Sequence, residues 1–210
     1  MMRWLIGIGV AVVLLIAGLG TLAYFFLVRP AQNFVQEFGK ALQLEAQLPS
    51  TPYTPPASGL VSSQQVERLA SVQQAVVQGL GDTYTNLQQR FGQLADQVSG
   101  QTTLDYRTVL DLFAQSTDLL VQAKQLQVDA ALQAGFSQQE YQWVRQQVYS
   151  ALNLGIPQIN PQEVLEQIRQ GNFETVVPLL QVPGLPLNKE QVTPYLEQFR
   201  NFYALTWFGL

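Results

Sequence analysis

The chain has 210 residues, with 11 Lys and Arg, 15 Asp and Glu, no His and no Cys, and a formal net charge of −4. Without Cys or His it can have no disulfide, thiolate nucleophile, lipid-modified Cys anchor, Cys/His zinc site, His-ligated haem or His general base. The acidic balance makes nucleic acid a poor partner, because little in the chain would neutralise phosphates.

Trp4 to Val28 contains no charged residue and no Pro. As a helix it reaches roughly 37 Å, enough to cross a ~30 Å hydrocarbon core with some tilt. A cleaved secretory signal has a shorter apolar run and small residues before its cleavage site. This run ends instead in Phe25, Phe26, Leu27 and Val28. Residues 1–30 are therefore expected to be a transmembrane signal anchor, with residues 4–28 in the lipid bilayer. Lys and Arg nearly balance across the span, so orientation rests on the short N-terminal tail. It places the remainder on the periplasmic side of a bacterial inner membrane. Gly7, Ala11, Gly18 and Thr21 share one helical face and are the candidate transmembrane packing residues, small enough for another helix to approach. Removing Arg3 and Arg29, which flank the run, from the 11 basic residues leaves 9 against 15 acidic ones beyond it.

Arg29-Pro30 is expected to end or kink the anchor. Residues 31–46 read as a juxtamembrane helix, with Phe34, Phe38, Leu42 and Glu45 on one face at 4-4-3 spacing. Residues 47–61 form a Pro-rich linker. Pro49, Pro52, Pro55 and Pro56 preclude helix and favour an extended, flexible spacer. Cutting between Pro49 and Gly59 should then free the rest of the chain from the membrane.

Residues 62–210 read as a helical domain. Ser62 caps a helix, Gln65 reaches back to it, and Val61 staples to Val66. Leu69, Val76, Leu80, Tyr84, Leu87, Phe91, Leu94 and Val98 keep one apolar face as far as Gly100. Gly79 and Gly81 weaken its middle, where a bend is expected. Thr102 or Thr103 is expected to cap a second long helix reaching about Ala134. Leu112, Leu119 and Leu126 recur every seven residues along it, beside a row formed by Val109, Ser116, Ala123 and Ala130. The short turn at Ser99 to Thr102 makes the two antiparallel neighbours, a hairpin over 62–134.

Shorter helices fill 137–210. Gly135 stops the hairpin. Ser137 and Glu140 make a capping box and Phe136 and Tyr141 its staple, with Glu140 the minor contributor to stability. That helix should end near Leu152 or Asn153, stopped by Gly155. Asn160-Pro161 opens a helix closed by Gly171. Asn172 caps a short helix broken near Pro178, and Val182 to Leu187 is a connector. Asn188 or Thr193-Pro194 opens the last helix. No alternating strand pattern is present. The fold class is all-α: a transmembrane helix, then a long antiparallel hairpin with shorter C-terminal helices packed on it.

The chemistry-bearing residues mostly read as solvated faces. Asp105, Asp111 and Asp118 lie along one expected helix, and Arg107 precedes Asp111 by four residues, a surface-pair spacing. Ser116 and Lys124 are eight residues apart, about 12 Å in rise, too far for a Ser-Lys dyad. Glu163, Glu166 and Arg169 form a charged face. Only 12% of residues are charged, and Gln, an uncharged helix former, reads as the solvating residue. Trp143 points away from the face made by Tyr141, Val144, Val148 and Leu152, with Arg145 beside it. Either another element buries Trp143 or it serves recognition. Leu205, Trp207, Phe208 and Leu210 wrap the C-terminal end, for burial on the hairpin or docking on a partner.

No cofactor and no metal is implied. These features together lead to the expectation of a membrane-anchored, non-enzymatic envelope protein that scaffolds or binds a protein partner, or self-associates. A helical module for a small apolar ligand and a membrane-tethered carboxylate-dependent hydrolase are the alternatives.

Overall fold

A computed structural model describes residues 29–89, 103–105, 116–157, 162–163, 166–167, 170, 174–176, 179–180, 186–206 and 209–210. The expected anchor, with Gly7, Ala11, Gly18 and Thr21, lies outside them. Among the described residues no helix is long and apolar enough to cross a membrane. They are mostly helical, and the strands among them are two or three residues long.

The first helix, α1, covers Arg29–Glu45. The second, α2, covers Ser63–Leu80 and begins as its sequence predicts. The Ser62 hydroxyl accepts from the Gln65 N–H at 3.2 Å, and the Gln65 side chain accepts from the Ser62 N–H at 3.1 Å. Val61 and Val66, the two residues of the staple, are both buried. At Gly81 the helix breaks rather than bends. Its φ of 53° and ψ of −132° belong to a region that side chains with a Cβ avoid. Helix resumes over 82–89, where Tyr84 and Leu87 are buried as their spacing predicts.

The helix α3, Thr117–Gln133, runs antiparallel to α2. Arg68 donates from Nε to the Ala134 carbonyl at 2.8 Å, and at the other end Gly79 lies against Leu126. A Cβ on Gly79 would fall 2.6 Å from Leu126 Cδ1, so glycine permits this close approach. The long second arm expected from Thr103 is not formed. Thr103–Asp105 is strand β1 and α3 starts after Ser116. The turn expected at Ser99 to Thr102, and Arg107, Val109, Asp111 and Leu112, lie outside the described residues.

The partner of β1 is β3, Glu174–Val176, antiparallel with Thr103 opposite Val176. Strand β2, Ile156–Pro157, pairs with β4, Leu179–Leu180. The short helix expected after Asn172 is thus replaced by strands. Backbone groups of Thr103 and of Thr175 and Val176, β-branched residues that suit a pleated surface, are satisfied across the ladder instead of within a turn of helix.

The helix α4, Gln138–Ala151, follows Gly135, whose φ of 72° ends α3. Ser137 caps it by accepting from the Glu140 N–H at 3.2 Å, and the Phe136 and Tyr141 rings meet edge to face at 5.4 Å. The expected box is only half made. The Glu140 carboxylate turns away to Arg68, at 2.9 and 3.3 Å, and to Gln65 at 3.0 Å. Asn153 rather than Gly155 takes the left-handed turn at the end of α4, with φ 58°. The chain closes with α5 at Pro186–Val192, a 3-10 turn at Thr193–Tyr195, and α6 at Leu196–Thr206. Asn188 is inside α5 and caps nothing.

Leu69, Val144, Val148, Tyr149 and Phe199 form the centre of the core, with α1 packed along α3. The residues between α1 and α2 form no helix, as their prolines predict, but they turn at both ends and are not a free spacer. Leu48 is in the core. The Pro49 carbonyl accepts from the Gln138 N–H at 3.0 Å, the Tyr53 N–H donates to Gln139 at 2.9 Å, and the Val61 N–H donates to Asn188 at 2.9 Å. The segment is a strap lying across α4 and α5. Ala41 and Glu45 of α1, and Leu48 after it, are buried.

Three substitutions test this packing. Ala123 is fully buried on α3, so Ala123→Leu should lower stability by ~1–3 kcal/mol in chemical denaturation through overpacking. Ser137→Ala should lower it by ~0.5–2 kcal/mol through the lost cap. Glu140→Ala should lower it more than Ser137→Ala, because it leaves the half-buried Arg68 without its bidentate partner.

Candidate functional site

Lys124 is the largest departure from the expected solvated faces. It lies on α3 between Leu120 and Val128, one helical turn from each, on the buried side of the helix. Its side chain is 1% exposed, and that of Glu45, the last residue of α1, is 7% exposed. Lys124 Nζ donates to Glu45 Oε2 at 2.6 Å and to the Gly209 carbonyl at 2.5 Å. The other carboxylate oxygen of Glu45 accepts from Gln142 Nε2 of α4 at 2.9 Å. Arg145, one turn further along α4, donates from Nη1 to the Gly209 carbonyl at 2.9 Å and to the Leu210 oxygen at 3.4 Å.

The local chain geometry aims these groups at one another. Beyond α6, Gly209 takes φ 78°. Its N–H donates to the Thr206 carbonyl at 3.1 Å, and the Leu210 N–H donates back to Leu205 at 3.3 Å. These are the two hydrogen bonds of a Schellman ending, and they leave the Gly209 carbonyl facing α3 and α4. Two cations thus meet the carbonyl end of a helix, where the backbone dipole favours positive charge.

The electrostatics follow from burial and neighbours. Burial pushes the Glu45 carboxyl up, but the charges of Arg145 and Lys124 and the hydrogen bonds from Lys124 and Gln142 outweigh it, holding the group down to about 2. Burial pushes Lys124 down; Glu45 opposes this and Arg145 adds to it, leaving the ammonium at about 8. Both groups are ionised at neutral pH. Burial, the main cause, raises the neighbouring Tyr141 phenol far above its ordinary value, so it stays protonated. Among the described residues Arg145 Nε is buried with no hydrogen-bond partner, and the buried Gln127 amide lies beside the Tyr141 phenol. The cluster is closed by its own members and acts as a tie between α1, α3, α4 and the end of α6.

The other expected site residues take ordinary places. Trp143 is half-buried, its ring 5.5 Å from that of Tyr53 in the strap. Leu205 and Leu210 are buried. Trp207 and Phe208 lie outside the described residues. Asp118, Glu163 and Glu166 are exposed. Among the described residues no three acidic side chains gather as metal ligands would.

Many Gln side chains are exposed as expected, and others link elements. Gln73 donates to the Tyr149 hydroxyl at 2.8 Å, Gln65 to Tyr53 at 3.0 Å and Gln198 to the Ala70 carbonyl at 2.5 Å. Asn188 completes the set, accepting from Val61 and donating to Gly59 and Gln147.

The sequence carried a signal for the ion pair. Glu45 falls on the apolar stripe of α1 and Lys124 on that of α3, and opposite charges on two apolar stripes have to find each other. No protein-family model matches the chain, and no curated protein and no solved structure is similar to it.

The pH dependence of stability reports on Glu45. Its folded value lies below the ordinary 4.5, so the unfolded chain takes up the proton first as the solution is acidified. The contribution is complete above about 4.5 and is lost as pH falls towards about 2. It is on the order of 3 kcal/mol. Denaturation curves across this range should show a steeper acid loss for the wild type than for Glu45→Gln. Parallel pH profiles would place the Glu45 carboxylate in water.

Proposed function

We propose that the chain is a membrane-anchored, non-enzymatic helical protein of the bacterial inner membrane, with its helical domain on the extracytoplasmic side, where it scaffolds or binds a protein partner. The apolar run at residues 4–28 supplies the anchor, spanning length without a charge. The observation that carries the reading further is the buried pair Lys124–Glu45. It fixes α1, the helix that follows the apolar run in sequence, to the rest of the fold. A domain so attached is held at the bilayer instead of ranging on a linker. The functional role is therefore mechanical and spatial: presentation of a helical surface at a set place beside the membrane. The sealed cluster supports this over catalysis, since its ionised groups are engaged with one another and buried from any substrate.

A nicking experiment tests both parts of the reading. The tip of the strap, Thr54 to Ser58, is exposed, and a protease site placed between Pro56 and Ala57 would be open to cleavage. The intact chain should sediment with membranes after alkaline washing. Once nicked, the wild type should remain in the membrane pellet at neutral pH, while nicked Lys124→Met should release the fragment carrying α2 to α6. An intact chain found in the soluble fraction would contradict the anchor. Immediate release of the nicked wild type would contradict the docking of α1.

A further inference from the structure

Lys124 is gripped from two directions by pieces far apart in sequence. One acceptor is Glu45 at the end of α1 and the other is the Gly209 carbonyl beyond α6. Arg145 shares both neighbours: it donates to Gly209 and Leu210, and its charge bears on Glu45. A buried ammonium cannot replace either acceptor with water while the surrounding helices stay in place. If the end of α6 lifts, Lys124 loses an acceptor and must move or be hydrated, which disturbs its contact with Glu45. If α1 lifts, the ammonium is left with a single neutral acceptor and Arg145 beside it, and the seat of Gly209 is undermined in turn.

We infer that Lys124 and Arg145 form a clasp through which α1 and the C-terminal end of α6 are released together. Displacement of Gly209 and Leu210 loosens α1, and load on α1 loosens Gly209 and Leu210 to the same degree, because coupling between two sites is reciprocal. The coupling stands on the geometry alone. Its consequence, that displacement of Gly209 and Leu210 is felt by the membrane-proximal helix, rests on the membrane-bound reading above.

Hydrogen exchange on the full chain in detergent micelles reads the clasp directly. Leu210→Ala should raise amide exchange several-fold at residues 42–48 as well as at 205–210, with α2 unchanged. Glu45→Gln should loosen 205–210 in return. In a Glu45→Gln/Lys124→Met background, which removes the ion pair altogether, Leu210→Ala should affect its own end only. Two outcomes overturn the inference: each substitution loosening only its own segment, or Leu210→Ala acting equally on α1 with and without the pair. If Leu210→Ala also strips protection from α2, the smaller change Leu210→Val is read against the same two outcomes. A chain that proves soluble yet shows the coupled exchange would reject the membrane-bound reading and leave the clasp standing.

Discussion

An ammonium group withdrawn from water needs its counter-charge inside the protein, and in this chain that requirement determines which segments come together. Lys124 on α3 meets Glu45 on α1, and the Gly209 carbonyl takes a second proton of the same nitrogen. Such a pair adds little net stability compared with well-packed apolar side chains. It does impose a condition, because the loss of either partner strands a charge in a space that cannot hydrate it. The segment that follows the apolar run thereby becomes part of the core.

The same logic recurs with neutral groups. Only 12% of residues are charged, so amides carry most of the links between elements. Asn188 joins the start of α2 to α5 and α4, and Gln73 reaches Tyr149 in the centre of the core. Arg68 gathers several links at one point. It pairs with Glu140, caps the end of α3 at Ala134, and lies 3.8 Å over the Phe136 ring. These bonds join residues many positions apart, and they convert an extended Pro-rich stretch into a strap. The prolines contribute by keeping that stretch out of a helix, and its fixed course comes from what it touches.

The features legible in the sequence are those whose cause is local. Ser62 with Gln65, Val61 with Val66, and Phe136 with Tyr141 are each set within six residues, and all are formed. α2 and α3 pack on each other, while the turn expected to join them lies outside the described residues. The strands were not legible, because two or three residues are too few to display alternation, and the partner of β1 lies some seventy residues away. Gly81 was visible as a weak point, but whether a glycine bends or breaks a helix depends on a backbone angle that no pattern encodes. Glu140 shows the limit of a motif: its spacing suits a capping box, yet a guanidinium from another helix competes for the carboxylate and wins. At the candidate site, Arg145 was singled out for its place beside Trp143. Its contact with the end of α6 could not be foreseen without the fold that brings Gly209 there.

The central claim is that Glu45 and Lys124 act as one unit that holds α1 in the core. A double-mutant cycle in the full chain tests it most directly, with chemical denaturation of the wild type, Glu45→Gln, Lys124→Met and the double variant. Each single change should cost about 3–5 kcal/mol, since it leaves a buried group unpaired, and the double variant should cost less than the sum of the two. Additive losses, or single losses within about 0.5 kcal/mol of zero, would mean that the two side chains do not meet in a dry interior, and the account of how α1 is held would fail.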